Sequence, residues 1–508
     1  MNLAARSSGI LLHPTSLPGR HGSGELGPEA ERWLDRLAQM RQRHWQVLPL
    51  GPTGFGDSPY QTLSTFAGNP LVISFDRLRE DGLIDAERLA GFQSLPQDHV
   101  AFGDAIGARL RLLHEVAAVF PRRAPAELRA DYAAFTADQG WWLEDYALFV
   151  SLKAHFAGRS WTDWPADAAR REPGVIAAAR RELAEAIEHA RTGQFLFHDH
   201  WRRLRAHAAG LGISIIGDLP IFVAQDSADV WCRPDLFALD DHGQPTVVAG
   251  VPPDYFCQTG QRWGNPLYRW EAHEAEGYAW WIARLRHAFT LFDVLRIDHF
   301  RGFAASWEIP AADPTAEHGR WVPGPGRALF DAAAAALGPK PIIAEDLGLI
   351  TPDVDELRDA LGFPGMRILQ FAFGGEQPET HRPESYPVNS VAYTGTHDND
   401  TTVGWYTSEP GPDSTCTAEE LAAERHRVRT ALGCDGSEIN WDMIALALRT
   451  PSNTAILPLQ DVLGLGSEAR MNVPGRAWGN WQWRFRWEQL RPEAEEKLEN
   501  LTLAAGRG

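Results

Sequence analysis

A chain of 508 residues, 44% hydrophobic and 23% charged, is longer than one minimal domain and has ample apolar material for a large core, which excludes a disordered chain. Its formal charge of −19, from 48 basic and 67 acidic residues, opposes a phosphate backbone and excludes nucleic acid as a partner, leaving a neutral small molecule or polymer. Four scattered cysteines without a CxxC pair indicate neither a zinc site nor a disulfide framework, and no run approaches the roughly 20 apolar residues that span a bilayer.

The N-terminal stretch MNLAARSSGILLHPTSLPG holds one short apolar run, cut off by His13 and Pro14, unlike the core of a secretion signal. A cytoplasmic chain with no membrane partner is expected. That run, SGILLHP (8–14), is the first of eight short β-rich runs ending in polar or charged residues. The others are HWQVLPL (44–50), ISIIGDLP (213–220), DVLRID (293–298), PIIAEDLG (341–348), MRILQFAF (366–373), VAYTGTHD (391–398) and NTAILPLQD (453–461). Segments of helical period lie among them, such as AERWLDRLAQM (30–40), YAWWIARLRHAF (278–289) and GRALFDAAAAALG (326–338). Near-continuous apolar strands alternating with helices need cover on both faces, so the fold class is α/β, a (β/α)8 TIM barrel forming a single catalytic domain over 1–508.

Roughly 160 residues separate the second and third runs, far more than one crossover needs. A mostly helical subdomain is expected at about 70–205. A second insertion, a loop and subdomain at about 225–290, carries VAGVPPDYFCQTGQRWGNPLY (248–268), whose Pro, Gly and aromatic content reads as a long active-site loop over one barrel mouth. The 20 tryptophans mostly fill a large core, although flat apolar rings also match the C–H faces of sugars.

Side chains at the C-terminal ends of barrel strands converge on one mouth. In DVLRIDHFRGF (293–303) the apolar run is the strand, and Arg296, Asp298, His299 and Arg301 mark its exit from the core. Asp218, Glu345 with Asp346, and His397 with Asp398 stand at other strand ends. Asp298, Glu345 and Asp398, from the fourth, fifth and seventh strands, would surround one cavity. This is not a zinc pattern and there is no DxDxDG calcium loop, so neither metal nor other cofactor is expected. Converging carboxylates suit cleavage of a glycosidic bond: in a retaining mechanism one attacks the anomeric carbon while a second, about 5 to 5.5 Å away, exchanges the proton. Asp298 lies two residues after Arg296 and on the same strand face, so the cation should keep it ionised as the nucleophile. Glu345 has no basic neighbour in sequence, which favours a raised pKa and the acid/base role. Asp398 is left to hold sugar hydroxyls and offset the developing positive charge. Asp346 reads as the cap of the following helix, and His13 as either a strand-end or a site histidine.

At these residues the sequence resembles the amylomaltases, the 4-α-glucanotransferase or disproportionating-enzyme family, in its small bacterial form. The resemblance runs through ILLHPTSLPG (10–19), GDSPYQ (56–61), GDLPIFVAQDSADVW (217–231), GQRWGNPLY (260–268), LRIDHFRGF (295–303), IIAEDLG (342–348), YTGTHDNDTTVGW (393–405) and ARMNVPG (469–475). It implies retaining transfer of α-1,4-glucan segments, from maltooligosaccharides, amylose or starch-type glucans, to the 4-hydroxyl of another glucan or of glucose, with cyclisation of long chains. The roles it implies for Asp298, Glu345 and Asp398 are those reached above. It further implies that Arg296, His299, Asp218 and His397 hold the central sugar, that Tyr60 and Trp263 flank neighbouring glucose units, and that Asn472 touches substrate. Pro252, Pro253, Asp254, Tyr255 and Phe256 would then cover the cleft and exclude water. Departures from the family pattern at Gly374, Gly375, Glu384 and Ser385 bear on acceptor contacts rather than on the reaction class. The alternatives are a hydrolytic α-glucosidase or amylase with the same triad and a non-catalytic glucan-binding protein.

Overall fold

In the computed structural model, which describes residues 5–253, 258–374, 382–410 and 417–508, eight parallel strands close into a barrel. They are β1 (Ser7–Leu11), β2 (His44–Gln46), β3 (Ser214–Pro220), β4 (Val294–Asp298), β5 (Ile342–Ala344), β6 (Gly365–Ile368), β7 (Ser390–Tyr393) and β8 (Thr454–Pro458). Each strand pairs with its neighbours in sequence, and β1 beside β8 completes the ring. All eight runs read from the sequence become barrel strands.

Successive side chains on a strand point to opposite faces, and here both faces are buried. Ile215 and Leu219 of β3, Leu295 and Ile297 of β4, and Ile342 and Ala344 of β5 belong to the large outer core. Ile216, Val294, Ile343, Met366, Val391, Tyr393 and Ile456 form a separate cluster inside the barrel. The inward parity of Ile216, Val294 and Ile343 continues to Asp218, Arg296, Asp298 and Glu345, so the alternation that fills the barrel also delivers charge to its mouth.

The outer layer follows from helical spacing. The helix Pro28–Gln39 buries Ala30, Trp33, Leu34 and Leu37, one apolar stripe. Between β2 and β3 the chain forms the helices Phe75–Glu80, Phe102–Arg123, Ala126–His155, Ala166–Ala169, Pro173–Glu182 and Ala184–Gly210. The last of these leads into β3 and sets Trp201 between Trp45 of β2 and Phe292, which precedes β4. A second, four-stranded antiparallel sheet runs in the order Gln261–Pro266, Val247–Val251, Ala305–Pro310, Arg320–Pro323. Its first two strands precede β4 in the chain and its last two follow it, so the sheet extends beyond the 225–290 segment marked in the sequence.

Asp346 does not cap the helix Pro352–Leu361, whose N-cap is Thr351. It is buried, accepting from the Met366 amide at 2.7 Å, Arg358 Nη1 at 2.6 Å and Arg367 Nη1 at 3.0 Å, and so ties β5 to β6 and to that helix. Cys232 and Cys434 are free thiols, while Cys257 and Cys416 lie outside the described residues. No described helix is long and apolar enough to cross a membrane.

Gly217 stands beside Asp218 in β3 because a Cβ there would come within 2.2 Å of the Phe292 ring. Phe292 is buried against Trp201 and has little room to yield. Gly217→Ala is therefore expected to lower stability by about 1–3 kcal/mol through overpacking. The denaturant midpoint measures this; an unchanged midpoint would mean that the ring moves aside freely.

Candidate active site

The site is built outward from the β3–β4 ladder, where Asp218 lies opposite Arg296 and Pro220 opposite Asp298. The Arg296 guanidinium uses every nitrogen. Nη1 donates to both Asp218 oxygens at 2.7 and 2.6 Å, Nη2 to Asp298 Oδ1 at 3.0 Å, and Nε to the Met366 sulfur at 3.3 Å. The side chains of Arg296 and Asp218 are 4% and 0% exposed, whereas that of Asp298 is 28% exposed. Only the last therefore faces the open mouth. From the loop after β2, Tyr60 donates its phenol hydrogen to Asp218 Oδ2 at 2.7 Å. Its ring stacks on His397 with centroids 5.1 Å apart and planes at 15°, and Trp481 packs against both.

Glu345 follows β5 directly. Its Oε2 accepts from the His299 amide at 2.6 Å and its Oε1 from the Leu347 amide at 2.8 Å. Its main chain is held as well, N–H to Ile297 O and C=O from Phe300 N, both at 3.1 Å. His299 adopts φ 51°, ψ 51°, a left-handed conformation that a non-glycine residue enters at a cost. In that turn its amide meets Glu345 while its ring sits edge-on to Trp263, 4.8 Å away. The residue after the Asp298 carboxylate thus holds Glu345.

Asp398 lies past the end of β7. Its Oδ1 accepts from Asn472 Nδ2 at 2.7 Å and stands 3.4 Å from His397 Nε2. Asp218, Tyr60, Arg296, His299, His397, Trp263 and Asn472 all gather around the three carboxylates. Asn472 meets Asp398 directly. Asp254, Tyr255 and Phe256 lie outside the described residues. Sequence reasoning did not single out Trp481, one of 20 tryptophans with no distinguishing neighbour, or Arg470, although the latter falls within the ARMNVPG motif.

Burial pushes the Asp298 carboxyl above the ordinary carboxylate range; Arg296 opposes this, while Asp218 and Asp398 add to it. Burial and the charge of Asp298 push Glu345 further up, again against Arg296. Arg296 thus opposes but does not outweigh desolvation at Asp298. The order of the two groups is what matters chemically: as pH rises, Asp298 loses its proton while Glu345 still holds one, giving one base and one acid in the same cavity. Burial lowers His299 to about 3, so its ring is neutral there. Tyr60 is pushed well above its ordinary value by burial and Asp218, which keeps it a donor.

A family model described as 4-alpha-glucanotransferase matches residues 12–490. The chain is 49% identical over 504 residues to a 4-alpha-glucanotransferase of Thermus thermophilus, covering 99% of each. It is 42% identical over 504 residues to a chloroplastic/amyloplastic 4-alpha-glucanotransferase of Arabidopsis thaliana, covering 98% of this chain and 85% of that one. Among solved structures it is similar to an amylomaltase from Streptococcus agalactiae in complex with acarbose, with a TM-score of 0.94, 36% identity and coverage of 99% of this chain and 100% of that one. An amylomaltase from Corynebacterium glutamicum, 20% identical, shares the fold with a TM-score of 0.80 over 98% of this chain and 75% of its own.

Raised carboxyl pKa values carry a stability consequence. Below about pH 4 Asp298 is neutral in both the folded and unfolded chain and contributes no difference. Between there and its raised folded pKa the unfolded chain has released a proton that the fold still holds, so stability falls as pH rises through that window and stays at the lower level above it. Asp298→Asn keeps an acceptor for Arg296 and removes the charge. Calorimetric midpoints of variant and parent are expected to coincide near about pH 4 and to diverge, variant higher, above neutrality. A lower midpoint for the variant at alkaline pH would mean that attraction to Arg296 outweighs desolvation.

Proposed function

Because the chain belongs to the 4-alpha-glucanotransferase family, we propose that it moves α-1,4-glucan segments by a retaining double displacement shared among Asp298, Glu345 and Asp398. The observation that carries the proposal is the Asp298–Glu345 pair, adjoining β4 and β5, with protonation orders set apart by burial and Arg296. Arg296 engages Asp298 Oδ1, leaving Oδ2 to attack the anomeric carbon. Glu345 gives its proton to the glycosidic oxygen as that bond breaks, and the shortened glucan departs with a free 4-hydroxyl. The resulting glycosyl-aspartate is opened by the 4-hydroxyl of an incoming glucan or glucose. That hydroxyl returns a proton to Glu345, and Asp298 leaves as carboxylate. Asp398 binds ring hydroxyls and supports the positive charge that grows at the anomeric carbon.

Transfer competes with hydrolysis. Tyr60 and Trp263, half-buried beside the carboxylates, offer apolar ring faces to sugar, and holding the acceptor in line adds the orientation advantage that free water lacks. Donors on this reading are maltooligosaccharides, amylose and starch-type glucans. When the acceptor hydroxyl belongs to the far end of the bound chain, the product is a ring.

Incubation with maltotriose alone is expected to yield both shorter and longer oligosaccharides by chromatography; shorter ones only would identify a hydrolase. Asp298→Asn and Glu345→Gln should each lower kcat by about 1,000-fold or more, and full activity in either removes that residue from its role. The pH profile of kcat/KM should be a bell, falling on the acid side as Asp298 takes a proton and on the alkaline side as Glu345 loses one. Both limbs should lie above the ordinary carboxylate range.

A further inference from the structure

The three carboxylates are not held by the same means. Asp298 is the last residue of β4 and Glu345 follows β5, so strand pairing fixes where their main chains lie. Asp398 sits in the loop beyond β7, its side chain 45% exposed, and no strand ladder reaches it. A distant segment takes over that task. Arg470 Nη2 donates to Asp398 O at 2.6 Å and Arg470 Nε to Asn472 O at 2.7 Å. The Asn472 amide nitrogen donates to His397 O at 3.1 Å, and its side-chain Nδ2 to Asp398 Oδ1 at 2.7 Å. A neighbouring residue of the same segment, Ser467, donates to Asp400 Oδ2 at 2.6 Å, holding the other side of the loop.

We infer that Arg470 and Asn472 are positioning residues for Asp398: they fix its main chain and occupy Oδ1, so that Oδ2 is the oxygen presented to the sugar. The donor types fit the task. Arg470 gives its hydrogen bonds to two main-chain carbonyls and not to the carboxylate. The group that does touch the carboxylate is a neutral amide, which orients Asp398 without cancelling the negative charge needed opposite an oxocarbenium-like centre. Asn472 thus acts through Asp398, a role different from the direct glucan contact that the family resemblance implies. The inference rests on the reading of Asp398 given above.

Steady-state kinetics of purified full-length variants test it. Asn472→Asp brings a second carboxylate to the 2.7 Å contact, where two such groups share one proton. Its kcat should drop on the order of 100-fold above neutrality, with a new ionisation in the kcat/KM profile and activity recovering as pH falls. Asn472→Ser, which withdraws the amide without adding charge, should lower kcat while leaving KM nearly unchanged. Arg470→Lys, which keeps the charge but cannot bridge two carbonyls, should give an intermediate loss with no new ionisation. If Asn472→Asp does not fold, the kcat-against-KM split of Asn472→Ser decides. A change in KM alone, or kcat intact in a folded Asn472→Ser protein, would overturn the inference. Asp398→Asn separates the two readings: an active Asp398→Asn enzyme removes the role of Asp398 itself, whereas an inactive one beside fully active Arg470 and Asn472 variants removes only the strap.

Discussion

The site depends on one buried guanidinium. Asp218 and Asp298 project inward from adjacent strands of an apolar barrel, where two carboxylates without a counter-charge would be expensive to desolvate. Arg296 is the group that lets them stand there. Its planar fork addresses both oxygens of Asp218 and one of Asp298 while Nε rests on the Met366 sulfur, and the point charge of a lysine could not be aimed in three directions at once. Two carboxylates on one cation leave the assembly with a surplus of negative charge. On the proposed mechanism, that surplus faces the sugar ring as it becomes positive in the transition state.

Burial raises the pKa of both Glu345 and Asp298, although the Asp298 side chain keeps 28% of its surface open at the mouth. A more open site would keep both groups near ordinary carboxylate values and admit water to compete with the acceptor. At His299 a single residue in a left-handed turn presents its amide to Glu345 and its ring to Trp263, so both contacts are set by one backbone conformation.

The barrel was legible in the sequence because strands buried on both faces must be apolar almost throughout, and because charge at the end of such a run has nowhere to go except the mouth. The eight strands could be read in this way, as could the placing of Asp298 and Glu345 at strand ends, whereas Asp398 lies five residues beyond its strand. Features that depend on partners remote in sequence could not. Ala305–Pro310 and Arg320–Pro323 are short, half-buried strands whose register with Val247–Val251 is visible only once the chain has folded. Asp346 resembled a helix cap, since nothing local announces that Arg358 and Arg367 converge on it. The neighbouring Arg296 marked Asp298 as the carboxylate to be kept ionised, but adjacency in sequence displays charge and not desolvation, so the upward push of burial on Asp298 was not legible. Trp481, which packs on Tyr60 and His397, carried no mark among the other tryptophans.

The four-stranded sheet draws two strands from each side of β4, so the chain leaves the sheet, passes through the barrel as the strand bearing Asp298, and returns to the sheet. This threading limits how such a protein can diversify. A recombination breakpoint that exchanged the whole 247–323 block would carry the proposed nucleophile with it, and one that exchanged only part of the block would orphan strand partners. The accessory layer and the strand that bears Asp298 are thus one covalent unit, tied together by the path of the chain itself.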